Sequence, residues 1–255
     1  MKALFPLLTI LLLTGCLDDD DFVDVTDREV TIAFRAEYGG EPLEIQSETY
    51  GYPTGDSLKM LLFQYYMSDL RLNEDRVGSS VLPPLTEIDL IRWNSAVDSA
   101  TMVRTYTARI PEGEYSGISF GLGVKPELNA MDPSEFAADY VLNENEFWGP
   151  QTRYVFAKIE ANAELEEDGR FDTGLSYHMG SDSLYQPVQL NGPFTIRDDG
   201  GSRITIVVDV KEALSSNGET LDITDPAQQT VHGGNQEVAN GVWDRLARSF
   251  RLEVD

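Results

Sequence analysis

The sequence has little cysteine, little histidine and little positive charge. A single cysteine, Cys16, in 255 residues excludes a disulfide within the chain. Lys and Arg total 19 against 44 Asp and Glu, which gives a net charge of −25. Nucleic acid is therefore not expected as a partner, because binding its phosphates needs an excess of basic side chains. Only His178 and His232 supply imidazole groups, so these two residues are the histidine candidates for any site.

The first 16 residues have the pattern of a lipoprotein signal. Lys2 precedes an apolar run over residues 3–13, and LTGC at 13–16 reads as a lipobox. The run is shorter than the roughly 20 residues that a membrane-spanning helix needs. We therefore predict a signal peptide over residues 1–15, cleavage before Cys16, and lipid on its thiol. This anchor would hold the protein in the cell envelope, on the periplasmic or surface face of the outer membrane.

The segment behind Cys16 is acidic, with four aspartates at 18–21. Like charges repel and stay solvated, so residues 16–27 are expected to be a tether, and the acidic run resembles the surface-export signal of Bacteroidetes lipoproteins. Residues 28–255 show no internal repeat and no linker, which favours a single domain.

Short segments of alternating hydrophobicity, separated by turn residues, follow one another along this domain. Together with 41% hydrophobic residues, the pattern predicts an all-β fold, an antiparallel β-sandwich. The expected strands are 30–38, 58–72, 86–93, 101–110, 115–124, 153–163, 171–178, 188–196 and 203–210.

Two helices are expected beside the strands. A short one over 133–140 would be capped by Asp132, with Pro133 at its first position. A longer amphipathic helix near 236–250 would pack its apolar stripe against the sandwich. That stripe recurs every four residues, at Val238, Val242, Leu246 and Phe250.

Both histidines lie next to glycine, in YHMG at 177–180 and VHGG at 231–234. Two imidazoles, joined by the thioether of Met179 or by a carboxylate, would suit copper or zinc. Two unrelated turn histidines would produce the same pattern, and both interpretations stay open on spacing alone.

Catalytic motifs are not persuasive in this chain. GISFG at 117–121 matches GxSxG, but the alternation runs straight through Ser119 as in a strand, whereas a nucleophile elbow needs a turn between strand and helix. Acidic clusters at 198–201 and 222–225 lack the spacing of a calcium loop and read as turns. We therefore expect a protein that is not an enzyme.

Six segments, in chain order, resemble the MbnP-like family of methanobactin-associated periplasmic copper-binding proteins. They are FQYYMSDLRL at 63–72, PEGEY with FGLGV at 111–124, FW at 147–148 with YVFAKIE at 154–160, YHMG at 177–180, IVVDV at 206–210, and a histidine, His232, before the terminal helix.

The resemblance implies a β-sandwich that binds copper outside the cytoplasm. In related copper proteins, two histidines and a kynurenine bind the ion, and a di-haem peroxidase-like enzyme makes the kynurenine from tryptophan. The resemblance thus implies that His178 and His232 are the copper ligands and that Trp148 is the tryptophan that is oxidised. The second tryptophan of the family's W-x-W pattern is Pro150 here, and the glycine before Tyr154 is Arg153. If the modified tryptophan is the one replaced by Pro150, the kynurenine ligand is absent and the site is weaker or empty.

A metal-free β-sandwich module that binds protein or glycan is the alternative. Its binding surface would use exposed aromatics such as Tyr50, Tyr52 and Trp93. The distance between the histidines separates the two hypotheses, because side chains more than roughly 8 Å apart could not share one ion with bonds near 2 Å.

Overall fold

The computed structural model describes residues 25–74, 82–96, 99–143, 146–198, 201–216, 218–232 and 236–255. The described residues form mostly β-strands. These are β1 Val25–Tyr38, β2 Glu41–Pro42, β3 Tyr50–Gly51, β4 Ser57–Asn73, β5 Thr86–Trp93, β6 Thr101–Pro111, β7 Gly113–Leu122, β8 Ala157–Glu164, β9 Thr173–Met179, β10 Gln186–Ile196, β11 Ile204–Asp209, β12 Ser215–Ser216, β13 Glu219–Thr220, β14 Thr230–His232 and β15 Phe250–Val254.

Two sheets face each other across an apolar core. In the first, β1 is flanked by β11 and β6, β15 pairs with β11, and β2 pairs with the end of β1. The second has the order β10-β7-β4-β8-β9-β14, with β3 and β5 also paired to β4. Phe250 of the first sheet meets Tyr65 and Phe120 of the second, with ring centroids 5.1 and 5.3 Å apart. The predicted β-sandwich is confirmed.

Most pairings are antiparallel, as expected, and two are parallel. β1 pairs with β11 and β9 pairs with β14 in the parallel sense. Parallel neighbours need a long connection, which here runs through other strands of the sandwich. The second parallel pair forms the edge of the sheet that carries both histidines.

Alternation along β8 and β9 sorts their side chains between the core and the outer face of the second sheet. Successive side chains of a strand point to opposite faces. On β9, Leu175, Tyr177 and Met179 are buried in the core. Ser176 and His178 therefore lie together on the outer face.

The helices are short. They are α1 Pro126–Asn129, α2 Val210–Leu214 and α3 Gln236–Arg248, with 3-10 turns at Pro133–Glu135, Val141–Asn143, Asp182–Leu184 and Pro226–Gln228. The turn at Pro133 has the expected Asp132 cap but ends at Glu135. α3 buries Val242, Trp243 and Leu246 as predicted, and its Trp243 ring meets that of Phe156 at 6.1 Å.

The predicted signal peptide, most of the tether and Cys16 lie outside the described residues. Within the described ranges, no helix combines the length and the apolar character that crossing a membrane requires.

Candidate functional site

His178 and His232 lie side by side at the edge of the second sheet. β9 and β14 pair in parallel, and their register places His232 opposite His178. The two imidazole rings stack, with centroids 4.6 Å apart and an interplanar angle of 15°. This separation is well inside the roughly 8 Å beyond which one ion could not reach both rings.

Hydrogen bonds from Ser176 of β9 and Glu160 of β8 fix the two imidazole rings. Ser176 Oγ is 3.1 Å from Nε2 of His178 and 2.9 Å from Nε2 of His232. Oε1 of Glu160 is 2.7 Å from Nε2 of His178. Since a carboxylate only accepts, Nε2 of a neutral His178 carries the proton. Its Nδ1 atom then keeps a lone pair, and it is buried with no hydrogen-bond partner among the described residues.

The surroundings of His178 favour its neutral form. Burial is the largest effect and lowers the pKa of His178 below its ordinary value of 6.5. Glu160 opposes this by raising the pKa, while Lys158 and His232 lower it further. Neutral imidazole is the form that binds metal ions, so His178 is kept in a binding-competent state at neutral pH.

Trp148 covers the histidine pair from a tight loop. Its indole makes edge contacts with the rings of His178 and His232, with centroids 5.1 and 5.5 Å apart. Inside the loop, the N–H of Trp148 donates to the carbonyl oxygen of Arg153 at 3.0 Å. The N–H of Arg153 donates to the carbonyl oxygen of Gly149 at 2.8 Å. Gly149 has a φ of 130°, which favours glycine. The indole stays 41% exposed, so the cluster is open to solvent on that side.

A glycine allows this loop to approach the end of β9. A Cβ atom on Gly180 would collide with the carbonyl oxygen of Tyr154. An open pocket of about 440 Å³ lies beside the loop and His178. Its lining includes Trp148, Arg153 and His178.

Polar residues that the sequence did not single out complete the surroundings. Lys158 is the register partner of His178 on β8, and its Nζ lies 5.9 Å from the centroid of the Trp148 ring. Glu146 holds this ammonium group at 2.5 Å. Lys158 and Glu160 belong to YVFAKIE at 154–160, one of the segments that resemble the family, but no role was assigned to them. Ser176 and Glu146 stood out by no motif of their own.

Met179 follows His178 in β9 and points to the other face. It is 1% exposed and belongs to the hydrophobic core. The structure therefore places it with the core side chains, while the carboxylate of Glu160 lies next to His178.

Residues of the competing hypotheses lie elsewhere. Ser119 is inside β7, and its hydroxyl donates to Asn73 Oδ1 at 2.8 Å, so GISFG is not a nucleophile elbow. Tyr50, Tyr52 and Trp93 are 8%, 4% and 1% exposed. The expectation that they form an exposed binding surface is wrong, because their rings fill the core.

Within the described ranges, no group of three or more His, Cys, Asp or Glu is arranged to hold a metal ion. The histidine cluster thus offers two imidazoles, with a hydroxyl, a carboxylate and an indole around them. The fold and this cluster define a class: a β-sandwich with a paired-histidine site at a sheet edge.

Comparison with known proteins gives the family and agrees with the fold. The family model described as MbnP matches residues 27–233, and the chain therefore belongs to the MbnP family. A solved structure, MbnP from Methylosinus trichosporium, is similar with a TM-score of 0.50 at 14% identity, covering 78% of this chain and 80% of that one. At this identity the likeness shows a shared fold. The curated protein sequences contain no match.

Proposed function

We propose that the protein is a non-catalytic copper-binding protein of the cell envelope, with His178 and His232 as the imidazole ligands. The observation that carries the proposal is the meeting of the chain's two histidines, in register and with stacked rings 4.6 Å apart. Membership of the MbnP family supports the same reading.

The donor atoms suit a copper ion. Metal-binding histidines usually donate their second ring N–H to a carboxylate or carbonyl, as His178 does to Glu160. That leaves Nδ1 of His178 buried and without a hydrogen-bond partner among the described residues, with its lone pair available to a metal ion. With no cysteine among the described residues and Met179 buried in the core, the ligands that lie beside the histidines are nitrogen and oxygen. Imidazole suits copper, zinc, iron and nickel, and family membership favours copper among these.

We propose Trp148 as the residue that becomes a third ligand after oxidation to kynurenine. Its indole touches both imidazoles and is exposed enough for a second protein to reach it. A di-haem peroxidase-like enzyme would be the oxidising partner. Kynurenine would add an aryl amine and a ketone oxygen where the indole now lies.

We also propose that lipid on Cys16 holds the protein in the envelope, which rests on the signal pattern of residues 1–16. Intact mass spectrometry of the natively produced protein tests both modifications together. Lipid that disappears in Cys16→Ala supports the anchor, and an unmodified Trp148 contradicts the kynurenine.

Copper titration of the purified protein tests the site itself. We expect one ion per chain for the wild type, and greatly weakened binding in His178→Ala and in His232→Ala. Gln189→Ala is a matched control, because Gln189 lies on β10 at the opposite end of the sheet order from β14. Equal stoichiometry and affinity in all four proteins would refute the site.

A further inference from the structure

A row of polar side chains crosses five strands of the second sheet and ends at the histidine pair. Gln64 of β4 is the register partner of both Arg92 on β5 and Lys158 on β8. Lys158 is in turn opposite His178, which is opposite His232. Arg92 Nε donates to Gln64 Oε1 at 2.7 Å. The row therefore brings two cations onto the face that carries the proposed copper ligands.

Glu146 supplies the negative charge for this row. Its side chain is 5% exposed, and its carboxylate oxygens lie 2.8 Å from Arg92 and 2.5 Å from Lys158. Breaking such a buried pair is costly, since it leaves an uncompensated charge. Glu146 thus fixes where the Lys158 ammonium group lies.

Glu146 also closes the loop that carries Trp148. Its backbone carbonyl accepts a hydrogen bond from the N–H of Val155 at 2.9 Å. Phe147 then bridges to Tyr154, and Trp148 follows directly over the histidines. The side chain ties this base of the loop to β5 and β8, while the backbone ties it to Val155.

We infer that Glu146 is a positioning residue of the site: it fastens the Trp148 loop to the sheet and neutralises Lys158 beside the two histidines. The inference rests on the proposed copper site for its effect on affinity. Its effect on the loop stands on the ion pairs alone. Without Glu146, the ammonium group of Lys158 would face a bound cation unscreened by its carboxylate partner.

The first test replaces Glu146 by Gln, which keeps the shape of the side chain and removes its charge. We expect copper affinity to fall about tenfold, because like charges a few ångströms apart near a protein surface repel by more than thermal energy. In protein produced without the oxidising partner, acrylamide quenching should increase, since it reports on Trp148 when Trp93 and Trp243 are each 1% exposed. Trp148→Phe identifies the quenchable fraction.

A second variant separates charge from scaffolding. Lys158→Met should raise copper affinity several-fold, and Glu146→Gln with Lys158→Met should return it close to wild type. A purely structural Glu146 would not be rescued by removing Lys158. Glu166→Gln is the control, because Glu166 is an exposed carboxylate in the turn after β8.

Unchanged affinity in Lys158→Met, or a double variant as weak as Glu146→Gln, overturns the charge role. Unchanged quenching in Glu146→Gln overturns the loop role. Lys158→Met keeps the test available if Glu146→Gln fails to fold. A wild-type protein that binds no copper refutes the proposed function instead, and quenching then still decides the role of Glu146 in placing Trp148.

Discussion

At the scale of single residues, the protonation of His178 would decide when the proposed site can accept a metal ion. The imidazole is 10% exposed, and burial removes water that would stabilise its charged form. Glu160 is the neighbour that pulls in the other direction, by raising the pKa. The pKa of His178 is therefore set by two opposing effects: burial against the core lowers it, and the carboxylate of Glu160 raises it.

The pKa of His178 should lie below 6.5, and Glu160→Gln should lower it further. The amide oxygen of glutamine can still accept the Nε2 proton, but the charge that stabilises imidazolium is gone. NMR titration of the ring C–H signals measures both values, with His232→Gln used to assign them. A pKa of His178 at or above 6.5 would contradict this account.

The same shift sets the sign of a pH effect on stability. The pKa is lower in the folded than in the unfolded chain, so the unfolded chain binds the proton more tightly. Stability from this group is complete above about 6.5 and falls as pH drops toward the folded pKa. Urea unfolding at several pH values measures this dependence. The fall in unfolding free energy below about pH 6.5 that His178 causes should be absent in His178→Gln.

At the scale of elements, the edge strand β14 holds His232 in place with three residues. Val231 is its buried residue, 2% exposed, and the histidine next to it points outward. A strand this short depends on packing more than on its own propensity. Its attachment to β9 is what turns two distant histidines into a pair.

Val231→Ala should cost about 1–2 kcal/mol of unfolding free energy, from lost apolar burial. Copper affinity should fall as well, because β14 would leave β9 more often. Thr230→Ala is the control, since Thr230 is an exposed residue of the same strand. Chemical denaturation and copper titration measure the two effects. A Val231→Ala protein with full affinity would show that β14 is not what holds His232.

The turn after β9 gives a second prediction at this scale. Gly180→Ala should destabilise the protein by about 1–3 kcal/mol, as overpacked sites do, because the new methyl group meets the carbonyl of Tyr154. Gly174 lies within β9 and has open space around its Cβ position, so Gly174→Ala should change the stability little. Thermal unfolding of the pair tests this, and equal midpoints would contradict it.

The strands were predictable where a local pattern encodes them. Alternation predicts strands such as β8 and β9 because each buries every second side chain. β15 could not be separated from the end of α3, since Phe250 continues the four-residue spacing of the helix and yet begins a strand. β14 has too few residues for any periodicity.

The site was predictable only in part, for a related reason. His178 and His232 stand out because the chain has no other histidine, and Trp148 follows from the family resemblance. Glu160 and Ser176 become neighbours of the site through strand register, and Glu146 does so from the loop before β8 through its ion pairs with the sheet. Register between distant strands depends on the whole sandwich, and no short stretch of sequence encodes it.

At the scale of the whole molecule, the charge is strongly one-sided. A net charge of −25 produces repulsion that opposes the compact state. The Debye length falls to about 8 Å at physiological ionic strength, so salt should weaken this repulsion.

The melting temperature should therefore rise as salt increases from a few millimolar to physiological ionic strength. Sodium and potassium chloride should act alike, because screening depends on ionic strength. Differential scanning calorimetry at constant pH measures the change. A melting temperature that is unaffected or falls would mean that local ion pairs, such as that of Glu146 with Lys158, outweigh the long-range repulsion.

The parallel pairing of β14 with β9 also ties the proposed copper site to the folded state. A contact between residues so far apart in sequence closes a large loop, and such contacts are among the slow steps of folding. A chain that is still unfolded therefore keeps its two histidines apart. The proposed copper site would exist only while β14 is paired with β9, so that loading with metal reports a folded sheet edge.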